Sequence, residues 1–193
     1  MNRIVVGEML KQNIPAVTQQ SASLFSLANR DAKPDISLKI VQSLLGGGFV
    51  PVVYGDVLFT QDGNFTIYST EKVLNNLALA LRESGETIGK VIHCGETDGF
   101  LKDGQVVSII TPETHQEMLA SMDKAKGFDV TGGMEHKVEM ALNLAHDGID
   151  SFIVGNNHGG NLYRTIVGKE YIGTRIHWLH KCLTIMRCMC DRI

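Results

Sequence analysis

The chain has 193 residues, of which 44% are hydrophobic, and its 18 basic and 21 acidic residues give a formal net charge of −3. This length and apolar content predict a folded domain, or a compact piece of a larger one, rather than a disordered chain. The charges are spread along the sequence, which argues against nucleic acid or an anionic membrane as a partner. No apolar run reaches the roughly 18–20 residues of a membrane span and no signal-peptide pattern opens the chain, so we expect a cytoplasmic protein.

The four cysteines are unevenly distributed. Cys94 lies alone in an apolar stretch, and the other three fall within the last dozen residues. This spacing differs from a secreted disulfide framework, so it favours a reducing compartment, and we interpret Cys94 as a small buried hydrophobe. The histidines and cysteines of the atypical tail, residues 177–193, fit neither paired C-x-x-C units nor a zinc finger, so we predict no metal site there.

The first half of the chain alternates between helical and strand patterns. Its hairpin signal is Gln61-Asp62-Gly63-Asn64 between two β-rich runs. In chain order, we predict a helix over residues 1–13, a strand over 14–19, a helix over 35–48 with Asp35 as its N-cap, a strand over 49–56, the hairpin over 57–69 and a helix over 71–85.

The second half continues the alternation. Thr111 and Pro112 form a strong helix start, and Gly148 follows the last periodic residue of a later helix. In chain order, we predict a strand over residues 89–95, a short strand over 105–110, helices over 111–125 and 137–148, a strand over 149–155, and a turn into a short helix over 155–164. The alternative interpretation of residues 155–164 is a further loop at the ligand-binding edge.

Strands separated by helices of about 10–15 residues predict a mainly parallel sheet with helices on both faces, into which the hairpin is inserted. Ligands in such folds bind beyond the carboxyl ends of the strands, where loops and helix N-termini converge. Three glycine-bearing loops fit that position: Tyr54 to Asp56, Gly95 to Gly99, and Thr131 to Lys137.

The loop Thr131 to Lys137 has two open interpretations. Gly132 and Gly133 would let backbone N–H groups approach a phosphate, and Lys137 lies one helical turn after Gly133. That arrangement suits phosphoryl transfer, which depends on positioning and charge neutralisation. The alternative is an ordinary helix start with an exposed lysine, because the sequence has no Walker-type pattern.

The acidic residues near these loops also have alternative interpretations. Glu96 and Asp98 suit contacts with a ribose or a magnesium ion, but the same pattern is typical of a plain turn. Asp56 is similar. Glu71 lies at the start of a predicted helix, where an acid complements the helix dipole.

Six segments, taken in order, resemble the amino acid kinase superfamily, and within it the isopentenyl phosphate kinases. They extend over nearly all of residues 2–176, and the form Asp-Val-Thr-Gly-Gly-Met followed by a lysine three residues later marks this branch. The segments are NRIVVGEMLKQNIPAV, GFVPVVYGDVLF, IYSTEKV, VIHCGETDGFL, DVTGGMEHKVE and GNLYRTIVGKEYIGTRI.

The resemblance implies an open αβα sandwich over residues 1–176 that transfers the γ-phosphoryl group of ATP, with Mg²⁺, to isopentenyl phosphate, giving isopentenyl diphosphate for isoprenoid biosynthesis. It implies a homodimer and no membrane or nucleic-acid partner. It implies Lys137 and Glu71 as catalytic residues. The implied ATP-binding residues are Glu96, Asp98, Gly132, Gly133 and Lys137, and the implied acceptor-binding residues are Gly55, Asp56 and Thr70.

The sequence departs from the family pattern at its start. The family opens with a strand, a Lys-x-Gly-Gly-Ser loop, a second glycine-rich loop and an acceptor-binding histidine, all of which would precede Met1. We therefore expect an N-terminally truncated chain with impaired activity. Two alternatives stay open: a non-catalytic nucleotide-binding remnant, and a related kinase for another small phosphate or phosphonate acceptor.

Overall fold

The computed structural model describes residues 2–120 and 133–178. The chain divides into two compact units, residues 1–87 and residues 88–193, and each is described by itself. Among the described residues, no helix is long and apolar enough to cross a membrane.

Unit 1 contains short strands, three helices and a hairpin. Its elements are α1 (Asn2–Lys11), β1 (Ala16–Thr18), a 3-10 turn (Ser21–Ser23), β2 (Phe25–Ser26), β3 (Asp35–Ile36), α2 (Lys39–Gly46), β4 (Val50–Val52), β5 (Asp56–Phe59), β6 (Phe65–Tyr68) and α3 (Thr70–Glu83). The strands β1 and β4 pair in parallel, while β2 pairs with β3 and β5 with β6 in antiparallel fashion.

Helix α3 forms where its sequence gives it a cap and one apolar face. The Ser69 hydroxyl accepts a hydrogen bond from the backbone N–H of Lys72 at 3.3 Å, which satisfies one of the first four helical donors. Val73, Leu77 and Leu81 recur every four residues and are buried, so this face packs into the core.

Unit 2 holds the larger sheet. Its elements are β7 (Val91–Gly95), β8 (Leu101–Lys102), β9 (Gln105–Val106), β10 (Ile109–Ile110), α4 (His115–Ala120), α5 (Gly133–His146), β11 (Ser151–Gly155), α6 (Asn161–Val167) and β12 (Gly173–Ile176). The four-stranded sheet has the order β10-β12-β11-β7, in which β7 and β10 pair in parallel with their neighbours and β12 runs antiparallel to β11. Parallel pairs joined through helices agree with the predicted α/β class.

The core of unit 2 lies between this sheet and α5. All five residues of β11 are buried, as expected for a central strand covered on both faces. Helix α5 packs on it through Val138, Ala141 and Ala145, which share one helical face. This packing holds the carboxyl end of β11 beside the first turn of α5.

Four predictions of local structure were wrong. The predicted strand over residues 105–110 is two strands, because β9 pairs with β8 in a hairpin while β10 pairs with β12 in the larger sheet. Asp35 is not the N-cap of α2, because residues 35–36 pair with β2 and the helix begins only at Lys39. Helix α4 begins at His115, since the residues before it form a turn in which the N–H of His115 donates to the Thr111 carbonyl at 2.9 Å. Cys94 is exposed, because Val91 and His93 take the buried side of β7 and alternation turns Cys94 to the other.

The predicted division into one kinase domain over residues 1–176 and an atypical tail over 177–193 stays a prediction. The tail cysteines and His180 lie outside the described residues.

Candidate functional site

The carboxyl ends of β7 and β11 form the centre of the site in unit 2. The two strands are parallel and in register, so that Gly95 lies directly beside Gly155 at the edge of the sheet. Neither position has a side chain, and the loops of residues 96–99 and 156–160 leave the sheet from this point. Of the two, only Gly95 leaves the space of a side chain largely open at the predicted ligand edge.

These two loops are joined by three hydrogen bonds. The N–H of Asn156 donates to the Gly95 carbonyl at 2.9 Å, and the Asn157 side-chain amide donates to the Glu96 carbonyl at 2.7 Å. The third contact joins His158 Nε2 to Asp98 Oδ2 at 3.1 Å, with both side chains partly exposed. The loop after β11 thus holds both the backbone at Gly95 and Glu96 and the carboxylate of Asp98 in the loop after β7.

Asp98 packs directly against Gly155. A Cβ at position 155 would overlap Asp98 Oδ1 and approach its Cα to 2.9 Å, so only glycine fits there. Among the residues that the structure describes, no donor reaches Oδ1, although this oxygen is buried from solvent. A buried carboxylate oxygen without a partner is uncommon, and a water, an ion or a ligand donor would satisfy it.

Asn161 anchors the far end of the loop after β11. This side chain is fully buried, and its amide donates to the carbonyls of Gly155 at 3.3 Å and Ile172 at 2.8 Å. Its carbonyl accepts from the N–H of Ile172 at 2.9 Å. Gly160 precedes it with a φ of 73°, a left-handed conformation that favours glycine at this tight entry to α6.

Lys137 brings a positive charge to the same edge. Its Nζ lies 3.8 Å from where a Cβ at Gly95 would be, so the ammonium lies beside the Gly95 backbone. Gly133 and Lys137 are one turn apart at the start of α5, where helix N–H groups and the helix dipole favour an anion. We call Gly95, Asp98, Lys137, Gly155 and His158 the β7–β11 corner.

The other predicted residues meet in unit 1, at the start of α3. The N–H of Gly55 donates to Thr70 Oγ1 at 3.1 Å, and a Cβ at Gly55 would lie 2.8 Å from the Thr70 nitrogen. Asp56 follows directly, and among the described residues no donor reaches its buried Oδ2. Glu71 is in the first turn of α3. We call Gly55, Asp56, Thr70 and Glu71 the α3 corner.

Each unit therefore collects its own share of the predicted residues. Glu96, Asp98, Gly133 and Lys137 lie around the β7–β11 corner, and Glu96 is exposed there. Gly132 lies outside the described residues. Their assignments to ATP and to the acceptor stay predictions.

Sequence reasoning missed three residues of the site: Gly155, His158 and Asn161. The stretch Gly155 to Arg164 was interpreted mainly as a turn before a helix, and α6 does follow it. Its contacts with residues about 60 positions earlier depend on the register between β7 and β11, which cannot be predicted from the local sequence. The one available signal was a buried-type strand that ends, like β7, in glycine.

The amino acid kinase family matches residues 1–155 of the chain. The chain belongs to this family. It is 35% identical to the isopentenyl phosphate kinase of Methanothermobacter thermautotrophicus over 93% of its own length, and 25% identical to that of Methanocaldococcus jannaschii over 91%. These matches cover 68% and 63% of the two relatives, so the chain spans about two thirds of their length.

The fold has solved counterparts in the same family. An X-ray structure of isopentenyl phosphate kinase superposes with a TM-score of 0.69 at 27% identity, covering 91% of this chain and 64% of that one. The predicted resemblance and the predicted fold class are thereby confirmed.

Proposed function

We propose that the chain is the ATP-binding and phosphoryl-transfer part of an isopentenyl phosphate kinase, which forms isopentenyl diphosphate in the cytoplasm. The observation that carries the proposal is Lys137 Nζ beside the backbone of Gly95, at the first turn of α5. The names of the relatives supply the acceptor, isopentenyl phosphate. The chain spans about two thirds of the length of these relatives, so the activity itself is part of the proposal.

The β7–β11 corner suits the phosphates of ATP. Gly95 lets a phosphate approach the backbone closely, and the N-terminus of α5 contributes partial positive charge. The Lys137 ammonium neutralises charge that builds on the oxygens of the transferred group. The hydrogen bonds between the two loops hold the Gly95 backbone and the Asp98 carboxylate in place before the substrate binds.

In this proposal the protein supplies only one or two carboxylate ligands to a magnesium ion at this corner. No group of three His, Cys, Asp or Glu side chains able to hold a metal occurs in residues 2–120 or 133–178. Mg²⁺ in kinases takes one or two carboxylates together with phosphate oxygens and water, and Asp98 offers a buried oxygen without a donor. Asp98 and Glu96 would hold the ion, which when bound offsets the negative charge of the phosphates.

We assign the α3 corner to the acceptor. Gly55 and Thr70 form a close turn, and the unpaired Oδ2 of Asp56 is available to a ligand donor or a bridging water. Glu71 is a positioning residue in this proposal. As the resemblance implies, its carboxylate orients a catalytic lysine and does not itself react. The chain acts as a homodimer.

The test measures ATP-dependent conversion of isopentenyl phosphate by the full chain and by Lys137→Ala. We expect kcat to fall about 10²–10³-fold in the variant, which is typical of losing one preorganised charge at a phosphoryl transition state. Lys169→Ala is the control, because Lys169 is an exposed lysine of the same unit and turnover should not change.

Two results separate the alternatives. Equal turnover by wild type and Lys137→Ala would refute the proposed role of the lysine. ATP binding by the wild type with no turnover of isopentenyl phosphate or a phosphonate such as fosfomycin would instead identify a nucleotide-binding protein without kinase activity.

A further inference from the structure

Unit 2 has an apolar groove along α5, on the side of this helix that is turned away from the sheet. The groove has a volume of about 490 Å³, and its walls are α4, α5 and the chain just after β12. Leu119 lines it from α4, Met140 and Asn143 from α5, and Trp178 from the chain after β12. We call this the α4–α5 groove.

Helix α5 presents a second stripe of side chains to this groove, separate from the face that packs on the sheet. Glu139, Asn143 and His146 recur at spacings of four and three residues, so they lie above one another on the helix, and all three line the groove. These three residues are exposed. The α4–α5 groove is thus open to solvent in the part of the chain that the structure describes.

The chain enters the groove directly after β12. Ile176, the last residue of β12, is fully buried, and Trp178 is half-buried two residues later. The Trp178 indole meets the His146 imidazole edge-on, with 5.3 Å between the ring centres, which is a favourable geometry for two aromatic rings. The residues that follow Trp178 in the sequence therefore start from inside one end of the groove.

The sequence after Trp178 has the composition that this groove requires. Residues 179–193 lie outside the described residues and read LHKCLTIMRCMCDRI; we call them the terminal segment. Apolar residues predominate in it, and its basic residues outnumber its single acid, Asp191. The groove has apolar walls and an acidic residue, Glu139, in its lining. The segment and the groove are therefore complementary in both polarity and charge.

The terminal segment is also long enough to cover the groove. From Glu139 to His146 the helix advances by about 10 Å, at roughly 1.5 Å per residue. An extended chain covers that distance with only a few residues, at about 3.3 Å each. Because the segment is tethered at Trp178, its effective concentration at the groove is on the order of millimolar, so even weak contacts would hold it there.

We propose that the terminal segment docks in the α4–α5 groove of its own chain. Trp178 anchors one end, Leu119 and Met140 offer apolar contacts, and Glu139 attracts the basic side chains of the segment. The docked segment braces α4 against α5, the helix that carries Lys137. The match to the amino acid kinase family ends at residue 155, so this contact is an addition to the part of the chain that the family model covers.

Disulfide crosslinking of the full chain tests the docking. Asn143→Cys places a thiol in the groove, and the terminal segment has three cysteines of its own, Cys182, Cys188 and Cys190. A disulfide forms only when the two Cα atoms come within roughly 4.4–6.8 Å. With oxidised glutathione as the oxidant, we expect a bond between position 143 and the terminal segment within one chain, identified by mass spectrometry of tryptic peptides.

Lys169→Cys is the matched control, because Lys169 is an exposed residue of the same unit that does not line the groove. A segment that is tethered but not docked would meet both introduced thiols at similar rates. We therefore expect crosslinking of Asn143→Cys to be at least about tenfold faster than that of Lys169→Cys.

Fluorescence gives a second measurement that needs no introduced thiol, since Trp178 is the only tryptophan of the chain. Leu183→Asp combined with Met186→Asp would release the segment, because docking would bury two unpaired carboxylates. The Trp178 emission should then shift to longer wavelength, and its quenching by acrylamide should about double as the groove opens. Thr184→Asp is the control at a polar position of the segment, and circular dichroism should show the same helix content in all variants.

Several results would overturn the proposal. They are equal crosslinking rates at positions 143 and 169, no bond to the terminal segment, or a bond that joins two chains and so identifies a second copy in the groove. Unchanged Trp178 quenching in the double variant would mean that another part of the chain, such as residues 121–132, covers the groove. None of these measurements uses ATP or turnover, so they are independent of the proposed function.

Discussion

The two corners that collect the predicted site residues are built differently. At the β7–β11 corner, two loops are joined by three hydrogen bonds, a buried asparagine anchors one of them, and Asp98 packs on Gly155. At the α3 corner, the bond from the Gly55 N–H to Thr70, the Ser69 cap and the strand pairing of Asp56 with Tyr68 hold the turn. Beside it, the hairpin exposes an apolar face.

The two corners thus differ in what holds them: side-chain bonds between loops at the first, and backbone pairing with a helix cap at the second. Phosphoryl transfer gains most from preorganised groups, which suits the hydrogen-bonded loops around Asp98 at the proposed ATP site. The predictions below test whether the first corner is in fact the less tolerant of change.

The largest expected effect comes from adding a methyl group at each corner. Gly155→Ala forces Asp98 to move and should lower the free energy of unfolding by about 2–3 kcal/mol. Gly55→Ala should lower it by about 1–2 kcal/mol, because its Cβ would come within 2.8 Å of the Thr70 nitrogen and 3.0 Å of the Tyr68 carbonyl oxygen, a shallower overlap than at position 155. Urea unfolding followed by circular dichroism measures both.

Gly159→Ala is the control for these variants. A Cβ there meets nothing within 4 Å, so stability should change by less than about 0.5 kcal/mol. A larger loss in Gly55→Ala than in Gly155→Ala would reverse the comparison.

A smaller effect is expected from the contact between Asp98 and His158. Asp98→Asn and His158→Gln, alone and combined, form a double-mutant cycle whose coupling should be about 0.5–1 kcal/mol in unfolding free energy, because both side chains are partly solvated. ATP affinity by calorimetry should fall in each single variant. Coupling near zero would mean that this contact does not join the two loops energetically.

The last effect is absent at neutral pH and concerns Tyr68 in unit 1, where burial raises the pKa of the phenol to about 12. In the unfolded chain the phenol ionises near pH 10, so the stability that it contributes is complete below that pH and is lost between pH 10 and 12. Unfolding curves between pH 8 and 11.5 should show this loss in the wild type and a weaker one in Tyr68→Phe. If the unfolding free energy falls equally with pH in the wild type and in Tyr68→Phe, ionisation of Tyr68 is not the cause of the alkaline loss of stability.

The sequence predicted elements whose local signals agree with their surroundings. Helix α3 has a capping serine, a regular apolar face and a terminal glycine, and it lies where its pattern indicated. Gly95 at the end of β7 and Lys137 in α5 are indicated by the glycine-bearing loops in which they lie, and the family resemblance adds their expected roles. Their positions are local in sequence, and propensity and spacing determine them.

Other features depend on tertiary contacts between distant residues. Asp35 has the chemistry of an N-cap, but pairing with β2 recruits it into a strand. Cys94 has apolar neighbours, but the side of β7 on which it lies is decided by what packs against the strand. His158 meets Asp98 only because β7 and β11 align Gly95 with Gly155.

That alignment also affects how the protein folds. Strands β7 and β11 are 60 residues apart in the sequence at their paired ends, so their pairing closes a long loop and is expected late in folding. The β7–β11 corner then exists only in chains in which β7 and β11 have already paired. Binding of ATP at this corner would shift the folding equilibrium of the unit, and the nucleotide would act as a stabiliser of newly made chains as well as a substrate.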